Sequence, residues 1–371
     1  MENLPDRLVL DDHKLKWHKE RVEARLKGER IAPITIDCAL TRRCTYRCIY
    51  CFGQLQANDE KKMTKDVIFR FLDDAAEIGV KAISFVSDGE STCSPHIYDA
   101  ILRGKRNGLD IALGTNGYLL KDEKLKEILP DLTYLRFNIS AVEPESYSKI
   151  MGCNKECFHK VYNTIKKCVK VKKENNLDVT LGIQMVLMPQ FHEWIIPFAK
   201  FGKKLGVDYA VIKHCCDDAL GSLGIDYSKY FALIDVLKEA ETQSQDNYLV
   251  KVKWSKILSE GKRKYTQCYG PPFIMQLSGS GLVAPCGGLF HKRYSKFHIG
   301  NIADKSFKEI WQSKRYWEIM DFIGSNKFNA KKTCGTLCLQ HKANEFIWGL
   351  KHQNLAFEKP KCALPLHVNF V

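Results

Sequence analysis

Apolar positions along this chain recur with two periods in alternation. In TKDVIFRFLDDAAEIG, residues 64–79, they fall three and four apart, which predicts an amphipathic helix, and the apolar run AISFVS at 82–87 predicts a buried strand. The pair of signals returns in HIYDAILRGKRNG (96–108) with IALGTNG (111–117), then in YLRFNIS (134–140), a long helix over 157–174 and VTLGIQMVLM (179–188). A last helix over 194–206 precedes DYAVIKH at 208–214. With TIDCAL at 35–40 the count reaches about six strands, each separated from the next by a helix-length segment. That spacing demands crossover connections and so a parallel α/β sheet, curled into a full or partial barrel rather than an open doubly wound sheet.

The alternation stops beyond residue 260. Cys268 is followed by YGPPFIMQLSGSGLVAPC, which predicts a hairpin with its turn at SGSG and Cys286 at the end of the return strand. HIGNI, a helix through KSFKEIWQSKRYWEIMDFIG and the TCGTLC segment with Cys334 and Cys338 complete the region. The expected organisation is a helical lead-in over 1–30, an α/β core over 31–255 and a small hairpin-plus-helix region with a tail over 256–371.

Composition narrows the class. With 45% hydrophobic and 27% charged residues in 371, the chain reads as a globular protein with a sizeable core. Its apolar stretches are too short to span a bilayer, and MENLPDRLVLDDHKLKWHKE has no apolar signal core, so a cytoplasmic location and no membrane partner are expected. The formal charge of +14 comes from lysines spread over helices, as in KKCVKVKKENN at 166–176, with no arginine-rich arm. Such a charge steers small anions as well as polymers, and nucleic acid is not the expected partner. Fifteen cysteines in a chain without a secretory leader point to cluster ligation rather than disulfides. Cys38, Cys93, Cys153, Cys157 and Cys168 lie in apolar or helical context and read as small core residues.

Three other cysteines, Cys44, Cys48 and Cys51, share the eight residues CTYRCIYC. Thiolates suit iron–sulfur clusters and zinc. A zinc knuckle needs a fourth ligand nearby, and none follows before Cys93 or His96. Three ligands leave one iron of a four-iron cluster open. The spacing, with Tyr50 before the last cysteine, resembles the signature of the radical S-adenosylmethionine (SAM) enzymes. The resemblance implies a partial (β/α)6 barrel and a [4Fe-4S] cluster held by the three cysteines and by SAM. It also implies reductive cleavage of SAM to a 5'-deoxyadenosyl radical and an electron donor such as flavodoxin or ferredoxin.

Ligands of parallel sheets lie beyond the carboxyl ends of the strands, so those ends hold the candidate site. SDGES at 87–91 resembles the family's GGE motif, with Asp88 in place of the first glycine. Gly89 and Glu90 are thereby expected at the SAM amino group, and Tyr50 near the adenine. Asn116 in GTNG and Ser140 in NIS suit ribose or carboxylate contacts, although Asn-Gly is also a turn signal. The fifth strand offers Gln184 and Met188, and the sixth Lys213 and His214. Lys213 pairs with an anionic substrate, carries a proton, or is a surface lysine. Cys215 and Cys216 just beyond are candidate hydrogen donors.

The late cysteines resemble the SPASM and shorter twitch extensions of the same superfamily. Cys268, Cys286, Cys334 and Cys338 are the expected ligands of a second [4Fe-4S] cluster, with Cys362 in reserve and zinc as the alternative metal. The full SPASM pattern of seven cysteines is not present, which favours the one-cluster form. Only 43 residues precede Cys44, too few for a peptide-recognition domain beside the first strand. The lead-in resembles radical SAM proteins associated with carbohydrate biosynthesis. The expected substrate is a small sugar-like or anionic molecule, such as a nucleotide sugar, undergoing oxidation or epimerisation. A peptide or protein maturase, an RNA-modifying enzyme and a non-enzymatic iron–sulfur carrier are the alternatives.

Overall fold

A computed structural model describes residues 7–371 apart from residues 60, 337, 359, 361 and 362. Seven strands run parallel in chain order: β1 (Thr35–Cys38), β2 (Ala82–Phe85), β3 (Asp110–Thr115), β4 (Leu132–Asn138), β5 (Thr180–Leu187), β6 (Tyr209–His214) and β7 (Leu249–Val252). On the other side of β1 lies β8 (Ile274–Leu277), also parallel to it, followed by antiparallel β9 (Leu282–Ala284) and β10 (Gly300–Asn301). The ten-stranded sheet is unclosed, a partial barrel. The hairpin expected in a separate C-terminal region instead extends the barrel sheet, because β8 satisfies the free edge of β1. Its turn is Ser278–Gly281 as expected, but the return strand ends at Ala284, two residues before Cys286.

The helices form where the apolar period requires. Lys65–Glu77 is capped by Thr64 and buries Ile68, Phe71, Leu72 and Ala75, one stripe three and four apart, against the sheet. Along the strands the alternation is equally strict. Ile36, Cys38, Ile83, Phe85, Ile111, Leu113, Leu135, Phe137, Leu181, Ile183 and Ile212 join the core cluster packed by the helices. The intervening positions, among them Thr35, Asp37, Arg136 and Val211, line the barrel interior.

The amino ends of the strands are stoppered by the two termini of the described chain. Phe370 packs with Ala82, Ala112 and Tyr134, where small residues leave room for it. Thr35 Oγ1 donates to Asn369 O (2.6 Å), buried Lys14 Nζ donates to Phe370 O (2.6 Å), and Thr180 Oγ1 lies 2.6 Å from His367 Nε2. One end of the barrel is thus shut, leaving the carboxyl ends of the strands as the open mouth.

Candidate active site

The loop that leaves β1 and carries Cys44, Cys48 and Cys51 is held mainly through its backbone. A Cβ on Gly89 would lie 1.9 Å from Thr41 O, and one on Gly279 would lie 2.3 Å from the same atom, so two glycines from distant segments grip the peptide before the cysteines. Arg42 reaches Asn58 O and Gln56 O (both 3.1 Å), and its Nε lies 3.3 Å from Asp88 Oδ2. Farther along, Arg47 N donates to Gly152 O and Ile49 N to Ile150 O (both 3.1 Å). Gly152 sits at φ +61° with Arg47 O 2.2 Å from its missing Cβ, which fixes glycine there. Cys44 is exposed, and Cys48 and Cys51 are half-buried. Although the residue is exposed as a whole, desolvation of its thiol by the surrounding loops pushes Cys44 up to about 11, Tyr46 N–H pulling the other way, and burial with the neighbouring Cys51 and Cys44 pushes Cys48 up too. Such thiols ionise when a metal takes the proton's place.

Glu90 is buried and fully engaged. Its carboxylate accepts from Thr92 N (3.1 Å), Thr92 Oγ1 (2.8 Å), Thr115 Oγ1 (2.8 Å) and Asn116 N (2.7 Å), which ties the ends of β2 and β3 together. Asn116 then turns toward the cysteine loop, its Nδ2 donating to Thr45 Oγ1 (3.0 Å) and lying 3.9 Å from Cys44 Sγ. Gly89, Glu90, Asn116 and Cys44 are therefore brought together. Tyr50 points inward, with its hydroxyl on Met151 Sδ (3.0 Å), and Ser140 Oγ accepts from Val186 N (3.2 Å), so both are engaged in packing at the mouth. Gln184 Nε2 donates to Asn138 Oδ1 (2.9 Å), and Met188 is buried in the core cluster.

Of the residues after the sixth strand, Cys215 is wholly buried, its Sγ 3.9 Å from Tyr50 O and its N–H on Tyr230 Oη (3.0 Å). That setting removes it from the set of accessible hydrogen donors. Cys216 differs: Sγ lies 3.8 Å from His214 Nδ1. Burial opposes its ionisation, but Lys256, His214 and Lys213 outweigh this and bring the thiol down to about 6. Lys213 is not a surface lysine. Burial, together with Lys256 and Arg136, lowers it to about 8 against the raising effect of Cys216.

The late cysteines meet beneath the helix His341–His352. Cys268 N donates to Ile323 O (2.8 Å), its Sγ lies 3.6 Å from Asn344 Nδ2, and Cys286 follows β9. Burial raises the Cys268 and Cys286 thiols, and Cys334 and Cys338 add to the effect, so the four thiols sit within electrostatic reach of one another. Among the described residues, no three His, Cys, Asp or Glu side chains close on a single-ion point. Arg263 donates to Ala330 O (2.9 Å), Gly335 O (2.8 Å) and Thr336 O (2.7 Å), holding the backbone on either side of Cys334. Cys362 lies outside the described residues.

Two groups of residues lie outside the expected site. Asp88, read only as a departure from a motif, accepts from Ser278 Oγ (2.6 Å) and Gly279 N (2.8 Å) and so joins the β2 end to the hairpin turn. Asp37, Arg136, Lys253 and Lys256 line an interior cavity of about 150 Å³. The period-two polar positions of TIDC and YLRFN carried a signal for Asp37 and Arg136, since a strand buried on both faces is otherwise apolar.

The radical SAM superfamily profile matches residues 39–201, and that of the SPASM iron–sulfur cluster-binding domain matches residues 268–339. The chain thus carries a radical SAM domain followed by a C-terminal SPASM domain, and the cofactors these two domains imply are SAM and [4Fe-4S] clusters. Its relatives include a tungsten-containing aldehyde ferredoxin oxidoreductase cofactor-modifying protein of Pyrococcus furiosus, 25% identical over 75% of this chain and 80% of that one. An AdoMet-dependent heme synthase of Methanosarcina barkeri is 23% identical over 76% and 83%. Streptococcus suis SuiB bound to S-adenosylmethionine superposes with a TM-score of 0.63 at 18% identity, covering 82% of this chain and 72% of that one. The cysteine-rich loop with Cys44 exposed, and the second set of thiols with Cys286 buried and the rest half-buried, are donors of the kind these cofactors require. Among the described residues no helix is long and apolar enough to cross a membrane.

Proposed function

We propose that this radical SAM enzyme abstracts a hydrogen atom from a small, anionic or sugar-like substrate at the barrel mouth and oxidises or epimerises the carbon so exposed. Cys44, Cys48 and Cys51 are the proposed ligands of the SAM-binding cluster, which with SAM supplies a 5'-deoxyadenosyl radical after reduction by an external donor such as flavodoxin or ferredoxin. Cys268, Cys286, Cys334 and Cys338 are the proposed ligands of the second cluster, which would take up the electron that the substrate radical loses in an oxidation. The observation that carries the reading is the convergence of the triad loop with Gly89, Glu90 and Asn116 at the open end of a barrel whose other end is shut.

Gly89 lets the loop approach, Glu90 sets the position of Asn116, and Asn116 orients the loop around Cys44. Cys216 supports oxidation over inversion. A thiol lowered to about 6 is mostly thiolate at neutral pH, able to accept a proton but with no S–H hydrogen to donate.

The test is anaerobic reconstitution, iron counting and a 5'-deoxyadenosine assay against pooled metabolites and peptides. About eight irons per chain and SAM cleavage under reducing conditions are expected; no cleavage would refute the reading. Reaction in deuterated water separates the outcomes, since inversion places solvent deuterium at the substrate carbon and oxidation yields a ketone. Turnover of peptides alone would transfer the assignment to a maturase.

A further inference from the structure

The barrel interior holds more positive charge than its own acids neutralise. Arg136 projects from β4, Lys253 and Lys256 follow β7, and all three line the cavity, with Lys213 close enough to influence Lys256 and Arg136. Among the described residues none of these four makes an ion pair, and Arg136 Nε is buried without a hydrogen-bond partner. Lys256 is only 8% exposed. Of the acids facing them, Asp11 is engaged by Ser255 N (3.1 Å) and Ser255 Oγ (2.8 Å), and Asp12 accepts from His13 N (2.8 Å). Asp37 is pushed up to about 7 by burial, against the pull of Arg136 and Lys213, so it is only partly ionised at neutral pH. The Cys216 thiol, brought down to about 6 beside Lys256 and Lys213, offsets only one of the four charges. Two further lysines line the cavity, and both are engaged: Lys14 by Phe370 O (2.6 Å) and Lys342 by Glu345 Oε2 (3.2 Å).

Buried unpaired cations are costly to a fold and persist where something else neutralises them. We propose that the cavity takes an acidic group of the substrate, a carboxylate or phosphate, seated between Arg136, Lys253 and Lys256. The planar guanidinium supplies a forked donor and the two ammonium groups supply point charges. The cavity has room for such a group and little more, so the acid end lies inward and the rest of the molecule extends toward the mouth. This inference rests on the reading of the barrel mouth as the reaction site, but its test needs neither SAM nor a reductant.

Isothermal titration of the reconstituted full-length protein with inorganic phosphate, methyl phosphate and acetate, at constant ionic strength, tests it. Saturable binding is expected for methyl phosphate or acetate as well as for phosphate, weakened about tenfold or more by Lys256→Met and Arg136→Gln, and unchanged by Lys166→Met on an exposed helix face. Lys256→Met should also raise the melting temperature without probe and lose the rise that phosphate gives the parent protein; Lys256→Arg should restore both. Binding of phosphate alone would mark a free-ion site and overturn the proposal. So would no binding, or binding indifferent to both variants. A protein that binds these probes but never cleaves SAM keeps this inference and loses the radical reading; the converse result loses only this one.

Discussion

The two cysteine sites of this chain are built in opposite ways. The first has three thiols within eight residues on a loop, with Cys44 exposed and the loop held by backbone contacts to glycines. The second draws Cys268, Cys286, Cys334 and Cys338 from over 70 residues of chain, with Cys286 buried, the other three half-buried, and Arg263, Gln340 and Asn344 around them. In the proposed reading, a site that must admit SAM is locally encoded and open, and the surrounding fold only has to hold its peptide still. A site with all its donors from the protein can be buried, and its integrity then becomes inseparable from that of the fold.

The largest expected difference follows directly. Cys48→Ala should lower 5'-deoxyadenosine production roughly a thousandfold or more while leaving about four irons per chain and a nearly unchanged melting temperature. Equal loss of both clusters would erase the contrast. Cys286→Ala is expected to do the reverse: about four irons remain, the melting temperature falls by several degrees or roughly 2–3 kcal/mol, and uncoupled SAM cleavage persists although substrate turnover drops.

Gly89→Ala sharpens the point about backbone grip. The added methyl would meet Thr41 O, so a loss of about 1–3 kcal/mol and roughly tenfold slower SAM cleavage are expected. The matching change on the other side of the same peptide, Gly279→Ala, should behave alike; if it leaves SAM cleavage untouched, the grip is one-sided. Asp88→Asn is the mildest test. It weakens the bonds to Ser278, Gly279 and Arg42 and should cost about 1–2 kcal/mol, read by denaturant midpoint, with a smaller effect on SAM cleavage than Gly89→Ala. Because Asp88 is the tie between β2 and the hairpin turn, a neutral result would mean that the β1–β8 pairing alone holds the two regions together.

Much of the barrel was legible. Helix-period and strand-period segments alternate cleanly from residue 35 to 214, and the observed strands β1–β6 fall on the expected runs. The short β7 carries no long apolar run, and β8 could not be placed because pairing with β1 is a choice among edges, invisible in either strand alone. The expected sites fared according to the range of their contacts. Gly89 and Asn116 lie by the triad loop because strand ends of a parallel sheet must converge there. Cys215 and Cys216 look equivalent in the chain, yet one is packed behind Tyr50 and the other meets His214, since adjacent residues leaving a strand face opposite ways.

What the sequence by itself determined about this protein is its chemistry class and the parallel barrel that presents it. Cysteine spacing and apolar period are local properties, readable within a few residues. Only the tertiary structure decided that Asp88 joins two regions, that Cys216 rather than Cys215 meets His214, and that Arg136, Lys253 and Lys256 share a cavity. Those relations depend on burial and on distances across the sheet, and electrostatic energy depends on separation in space rather than along the chain.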